Sequence, residues 1–545
     1  MPLAGGRNRL TGGQQGRSKL PAAQPIDNRE KGHAFQHHPR PHRCYRARRP
    51  PELRQIEDGA VLQHGGLIAE IGPADELIAK HPGVPVLGSR HKVMLPGFVN
   101  AHHHIGLTPV QLGSPDMPLE LWFVTRLVMR RVNLYLDTLY SAFEMIASGI
   151  TTVQHLHGWV PGGLDAVETG AGEVIRAYED VGMRVSYSFA LRDQNRLVYQ
   201  DDKEFTASLP AELRPALERH FTRFGLSRAD YGPLFEHLHA THHNKERVKI
   251  QLAPANLHWC SDAALELLAD LSVRYQAPMH MHLVETAYQK EYARGRGSGT
   301  ALEHIDRFCF LGPRLTLGHG VWLNEADLDR IAATGSHICH NCSSNFRLRS
   351  GVAPLNAFEQ RGINTAIGLD EAGINDDRDM LQEMRMVLRA HRVPGMDDEA
   401  VPGPGQVLRM ATAGGAVTTP YGSHIGTIAV GKAADLVLID WDKLAYPYLD
   451  PETSVLDAII QRAKSEAVDL VMVAGEVVYE GGRFTRVDRD AALRELHQSL
   501  QQPLAVDEIE RRQLARALLP HVRRFYTGHF DPETHQPFYR PSSRV

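Results

Sequence analysis

Residues 96–104 read Pro96-Gly97-Phe98-Val99-Asn100-Ala101-His102-His103-His104. A Pro-Gly pair punctuates a short apolar run, and three histidines end it. In an extended chain alternate side chains share a face, so His102 and His104 point together while His103 points away. Two imidazoles on one face are half of a metal site. Alone the pattern is weak: the chain has 30 histidines, and His155-Leu156-His157 repeats the spacing. Its meaning depends on what other strands carry at their ends.

Outward from this stretch, apolar runs of strand length recur at 93–100, 151–155, 184–190, 248–253, 278–284, 314–318, 336–340 and 364–369. Most are followed by a helix-like segment. Residues 134–148 and 324–334 show apolar side chains at three- and four-residue spacing, with Asn324 placed as an N-cap. Residues 201–245 are polar and helical in pattern and read as an inserted excursion. Strand–helix alternation repeated eight times over 96–424 predicts an α/β fold, a (β/α)8 TIM barrel with its chemistry where strands end. The fifth run holds His280-Met281-His282-Leu283-Val284-Glu285, the sixth ends at His319, and the eighth ends at Asp370. Histidines and an aspartate at four strand ends make a catalytic metal centre.

The flanks are different. Residues 59–72 read as two short strands joined at His64-Gly65-Gly66. Residues 426–440 and 468–484 are β-branched runs broken by glycine. A small composite β-sandwich is therefore expected, built from 51–95 on one side of the barrel and 425–485 on the other. Residues 486–545 read as a helical extension, helical to about 525, and leave open whether it caps the barrel or a subunit interface. Residues 1–50 carry 11 Lys/Arg against 2 Asp/Glu, and are expected to be a disordered basic leader.

Together the runs PGFVNAHHH, HLVE, GH and GLD, with HNCSSNFRLRSG and the downstream GTIAVGKAADLVLID, resemble the amidohydrolase superfamily. The likeness spans about 55–485 and is greatest to the branch of S-adenosylhomocysteine, guanine and cytosine deaminases and triazine hydrolases. The resemblance implies that His102, His104, His282 and Asp370 bind one divalent metal, with Glu285 and His319 as catalytic neighbours. Three histidines and a carboxylate suit Zn²⁺ best, with Fe²⁺ and Mn²⁺ compatible. Such an ion lowers the pKa of its water to about 7. Asp370 is then placed to take and return a proton, Glu285 to protonate a ring nitrogen, and His319 to orient the nucleophile. A binuclear relative uses a carbamylated lysine at the end of the fourth strand. The lysine there, Lys249, lies at the strand's entry, so one ion is expected.

Residues 115–123 (PDMPLELWF) follow the first histidines, and Asp116, Glu120 and Trp122 are candidates to contact substrate. His155, His157, His258 and Glu371 are further candidates for the pocket, while His103 and His280 are expected behind it. His340 either reaches the pocket or is structural. Ala255 stands where such deaminases usually have a histidine, and Glu371 and Leu369 also depart from the common pattern. These departures point away from adenosine-, guanine- and homocysteine-type substrates. Cys339-x-x-Cys342 lacks the second pair a structural zinc would need.

The function expected is metal-dependent hydrolysis of a non-peptide C–N bond in a small nitrogen heterocycle, by deamination. Cleavage of an amide, urea or C–Cl bond is the alternative, and a catalytically inactive scaffold the distant one. The 545 residues are 42% apolar and 23% charged, with a net charge of −4, which excludes a fibrous or disordered chain. No run approaches the roughly 18 apolar residues of a membrane helix. The leader lacks aromatic interleaving and the body lacks a basic face, which argues against nucleic acid. Five cysteines, an odd number over a long chain, suit a reducing cytoplasm. A small-molecule substrate and a homo-oligomer complete the expectation.

Overall fold

The computed structural model describes residues 19–23, 53–104, 106–158, 160–297, 299–422 and 424–544. Apart from Lys19–Ala23, the basic leader lies outside the described residues. That short segment pairs antiparallel with Leu53–Glu57 and touches Lys92–Pro96. An open sheet edge leaves unpaired backbone groups, and a passing segment can satisfy them.

The centre of the molecule is parallel. Phe98–His103, Ile150–His157, Arg184–Leu191 and Val248–Ile250 pair in turn, the last continued by Ala253–Pro254. Met279–Leu283, Leu315–His319, His337–His340 and Thr365–Ile367 form a second parallel set. Single parallel bridges join the two sets at both edges, Leu252 with Met279 and Asn256 with His282 on one side, His103 with Asp370 on the other. The arrangement is TIM-barrel-like. Its strands are buried on both faces, as parallel strands under helices must be, and therefore read as continuous apolar runs rather than alternating ones.

The run 93–100 is not one strand but two. Lys92–Pro96 pairs antiparallel with Leu436–Asp440 in the flanking sheet, and the parallel strand starts only at Phe98. Gly97 is the break. A Cβ there would lie 2.2 Å from Thr151 Oγ1, so only glycine lets the chain pass from one sheet to the other. Beyond Leu436–Asp440 the flanking sheet continues antiparallel through Val468–Val473, Glu476–Glu480 and Arg483–Phe484. The hairpin Gly59–His64/Leu67–Pro73 turns at Gly65 and Gly66, both at positive φ. Ile68 of this hairpin shares an apolar cluster with Leu436, Leu438, Leu470 and Met472.

The excursion at 201–245 is three helices, Asp202–Ser208, Arg214–Phe221 and Arg228–His242. The carboxyl end carries helices Arg489–Leu500 and Val506–Tyr526. Leu514, Leu518 and Val522 of the longer helix pack with Leu121 and Val124 of helix Leu119–Thr125. No helix among the described residues is long and apolar enough to cross a membrane.

Candidate active site

Four strand ends converge on one point. His104 Nε2 lies 3.0 Å from His102 Nε2, 3.2 Å from His282 Nε2 and 3.3 Å from Asp370 Oδ1. His102 Nε2 is 3.7 Å from the same carboxylate oxygen. His319 Nε2 stands 3.7 Å from Asp370 Oδ2 and 3.6 Å from Glu285 Oε2. Two of these residues hold strained backbone: His319 has φ 69° and Asp370 φ 56°. Left-handed conformation costs a non-glycine residue roughly 1–2 kcal/mol, and such outliers cluster where side chains must be aimed. Gly368 makes room beside them, since a Cβ there would lie 2.4 Å from the Cβ of His102.

Hydrogen bonds at the far nitrogens settle which tautomer each histidine adopts. His104 Nδ1 is 2.7 Å from the Leu156 carbonyl and His282 Nδ1 is 2.7 Å from the Ala255 carbonyl. A carbonyl only accepts, so both Nδ1 atoms carry the proton and both Nε2 lone pairs face inward. For His102 the reasoning runs through a chain. The Gln154 side-chain amide donates to the Thr418 carbonyl and to Gln251 Oε1, which leaves Gln154 Oε1 to accept from His280 Nδ1 at 2.8 Å. His280 Nε2 then accepts from His102 Nδ1 at 2.8 Å, and the lone pair of His102 Nε2 also faces inward. Three lone pairs and a carboxylate crowded this closely repel one another unless a cation lies between them. The donor set fits a divalent metal, and His102, His104, His282 and Asp370 would hold it. Lys249 is tied to the His243 and Lys245 carbonyls instead.

Charge is tuned by burial. Glu285 is pushed up to about 7, first by burial and then by the Asp370 and Glu120 carboxylates, against the pull of His319. Asp370 moves the other way. Its burial is outweighed by the hydrogen bond and charge of His104, with His319 and His282 adding to the pull, and it is held far below the usual carboxylate range. One carboxyl thus titrates near neutral pH beside one kept ionised, the pairing an acid–base reaction needs.

The stretch after the seventh strand supplies groups that sequence reading missed. Helix Cys342–Arg347 presents Ser344, whose hydroxyl donates to Asp370 Oδ2 at 2.7 Å, and Asn345, whose Oδ1 accepts from His319 Nδ1 at 2.9 Å. Ser350 donates to Glu285 Oε1 at 3.1 Å. Asp137 accepts from the N–H groups of Gly106 and Leu107, pinning the chain just beyond the histidines. Only the long-range pairing of these residues reveals their part. The HNCSSNFRLRSG run itself was the available signal.

A cavity opens over this cluster. Its walls are Trp122, Phe123, Trp259 and Leu348, with Arg126 paired to Glu371 and stacked on Trp122 at 4.6 Å, and Arg192 stacked on Trp259 at 3.9 Å. Of the sequence-predicted pocket residues, Trp122 and Glu371 line it. His155, His157 and His258 do not, which corrects that expectation. Leu156 and Gly158 face the cavity, so by strand alternation His155 and His157 face outward. They bond Tyr178 and Tyr187 there. His258 is buried between Tyr199 and Trp259. Asp116 pairs with Arg347, and Glu120 accepts from Thr286 and Tyr199. His103 packs behind the site on Ser141, and His340 bonds His391 rather than reaching the cavity.

Known proteins share this architecture. The profile of the amidohydrolase family matches residues 93–478, and that of an imidazolonepropionase-like composite domain of bacteria matches 59–83. A 5-methylthioadenosine/S-adenosylhomocysteine deaminase of Syntrophobacter fumaroxidans is 30% identical over 448 residues, covering 81% of this chain and 93% of that protein. A 5′-deoxyadenosine deaminase of Methanothermobacter thermautotrophicus is 28% identical, covering 79% and 92%. Among solved structures, a zinc-bound adenosine deaminase of Xanthomonas campestris superposes with a TM-score of 0.70 at 25% identity, covering 82% of this chain and 93% of that one. An atrazine chlorohydrolase of Arthrobacter aurescens shares the fold at a TM-score of 0.70 and 21% identity, covering 82% and 96%. The chain belongs to the amidohydrolase family, as a hydrolase of carbon–nitrogen bonds other than peptide bonds.

Proposed function

We propose that the protein is a hydrolytic deaminase that removes the amino group of a 6-aminopurine nucleoside or a close analogue, using one zinc ion held by His102, His104, His282 and Asp370. The observation that carries this reading is the pair of carboxyls, Glu285 and Asp370, set on either side of His319 beneath an aromatic-walled cavity, the first pushed up to about 7 and the second held ionised. A closed eight-stranded barrel with a composite β-sandwich from both flanks is the architecture that goes with it.

When bound, the ion supplies a water acidic enough to lose a proton near neutral pH. Asp370 accepts that proton and passes it to the departing amine, which leaves as ammonia. Ser344 steadies the carboxylate for this exchange through its hydrogen bond to Oδ2. Glu285 accepts from Ser350 at Oε1, so its own proton sits on Oε2, the oxygen that faces His319. From there it protonates the ring nitrogen as water adds to the neighbouring carbon. His319, fixed through Nδ1 by Asn345, orients the nucleophile. Trp122, Phe123 and Trp259 supply flat apolar walls for a heteroaromatic ring. Ala255, in place of a common substrate-binding histidine, argued against adenosine-type substrates. The relatives named for such substrates weigh more, and Asn256 stands on the cavity wall at the same strand end.

The test is ammonia release from zinc-loaded protein given 5-methylthioadenosine, 5′-deoxyadenosine, adenosine and guanine, beside a chlorotriazine and an aryl urea. Turnover of the aminopurine nucleosides, abolished in Asp370→Asn, supports the reading. Release of chloride or amine from the last two, with no ammonia from any purine, overturns it.

A further inference from the structure

His340 and Cys342, at the start of the loop that serves the catalytic cluster, meet His391, the residue that ends helix Met380–Ala390. One nitrogen of each imidazole and the Cys342 Sγ all lie within 4.8 Å of one another, and all three residues are buried. His340 Nε2 and His391 Nε2 stand 2.8 Å apart, as close as the lone pairs in the catalytic cluster. Between two neutral rings a single proton occupies that line. One Nδ1 is then left as a donor and the other as an acceptor, and neither has a partner among the described residues. Orphaned polar atoms at full burial are destabilising, and hydrogen bonding alone gives this cluster no return for them.

We propose that His340, Cys342 and His391 form a second metal site, a structural one for a thiophilic divalent cation of the zinc class. One thiolate and two imidazoles are ligands zinc accepts in tetrahedral sites, and a thiolate discriminates against magnesium and calcium. On binding, Cys342 Sγ–H gives its proton to solvent and Sγ bonds the ion, so the ion's charge offsets the cost of burying the thiolate. The neighbouring Glu383 is already engaged by the Ser343 N–H and hydroxyl and is not a ligand. Cys339, the other half of the Cys-x-x-Cys, donates to Asn341 Oδ1. The missing partner pair that argued against zinc in the sequence is thus supplied by one distant histidine and one neighbouring one. The ion would brace helix Cys342–Arg347, which presents Ser344 and Asn345, against the end of helix Met380–Ala390.

Cobalt decides it, because sulfur ligands mark Co²⁺ with a near-ultraviolet charge-transfer band that the nitrogen and oxygen ligands of the catalytic cluster do not give. Metal-free full-length protein titrated with Co²⁺ is expected to bind two equivalents, one of them bringing that band. Cys342→Ser and His391→Asn are each expected to bind one equivalent and show no band. Saturation of the unaltered protein at one equivalent, or two equivalents without the band, overturns the proposal. So does a band that survives Cys342→Ser, which would assign it to another cysteine. If Cys342→Ser fails to fold, the unaltered protein and His391→Asn, altered at a helix end, still decide. None of these readouts depends on the substrate.

Discussion

Glu285 is the residue whose surroundings most directly set the chemistry. Burial and the nearby Asp370 and Glu120 carboxylates hold its pKa at about 7, so the protonated, acid-competent form prevails below that pH and is lost above it. The expected outcome is a kcat/KM that falls as pH rises past about 7. In Glu285→Gln this limb should vanish and the rate should drop about 10²–10⁴-fold. A pH–rate profile that keeps the same limb in the variant would assign it to another group. The placing of Glu285, His102, His104 and His282 at strand ends was legible because strand periodicity and position at strand ends are local properties. Gln154 and His280 were not legible as the groups that orient His102, because a hydrogen-bond chain across three strands has no signature in any one of them. His155 and His157 were misread for the related reason that spacing gives alternation but not its phase. Leu156 takes the inward face.

At the next scale, helix Cys342–Arg347 is a short element with a large share of the site. It hands a hydroxyl to Asp370 and an amide oxygen to His319, and the buried Glu383 clasps its first turn through Ser343. Removing the hydroxyl leaves one carboxylate oxygen without its donor. Ser344→Ala should lower kcat about tenfold, in line with roughly 1.5 kcal/mol for a hydrogen bond to a charged group, with Tm nearly unchanged. Equal loss of Tm and kcat would show instead that the hydroxyl holds the loop together. The strands were readable as elements, but the run 93–100 was not divided correctly. Continuous apolar character is the same in a strand of the flanking sheet and one of the barrel, and only the close approach of Thr151 to Gly97 marks the passage between them.

For the molecule as a whole, the carboxyl-terminal helix matters most to the cavity. Val506–Tyr526 lies against Leu119–Thr125, the helix that carries Trp122 into the wall, and Leu518 is fully buried between them. Leu518→Ala should cost about 2–5 kcal/mol, lower Tm and raise KM through a loosened wall, while the metal content of the catalytic cluster stays the same. Unchanged KM at a lowered Tm would separate the extension from the pocket. The partner of this helix was not legible, since an apolar stripe states that a surface is covered and not by what. The pairing of Lys92–Pro96 with Leu436–Asp440 was not foreshadowed either, because 93–100 read as one barrel strand.

The bridge from His103 to Asp370 joins two ends of one seam that lie 267 positions apart in the chain. A ribosome making this protein therefore releases His102 and His104 long before the aspartate that completes their set. Until Asp370 emerges, the inward lone pairs of those histidines lack the carboxylate that stands 3.3 Å from His104 in the finished fold, and the parallel seam between the first and last strands stays open.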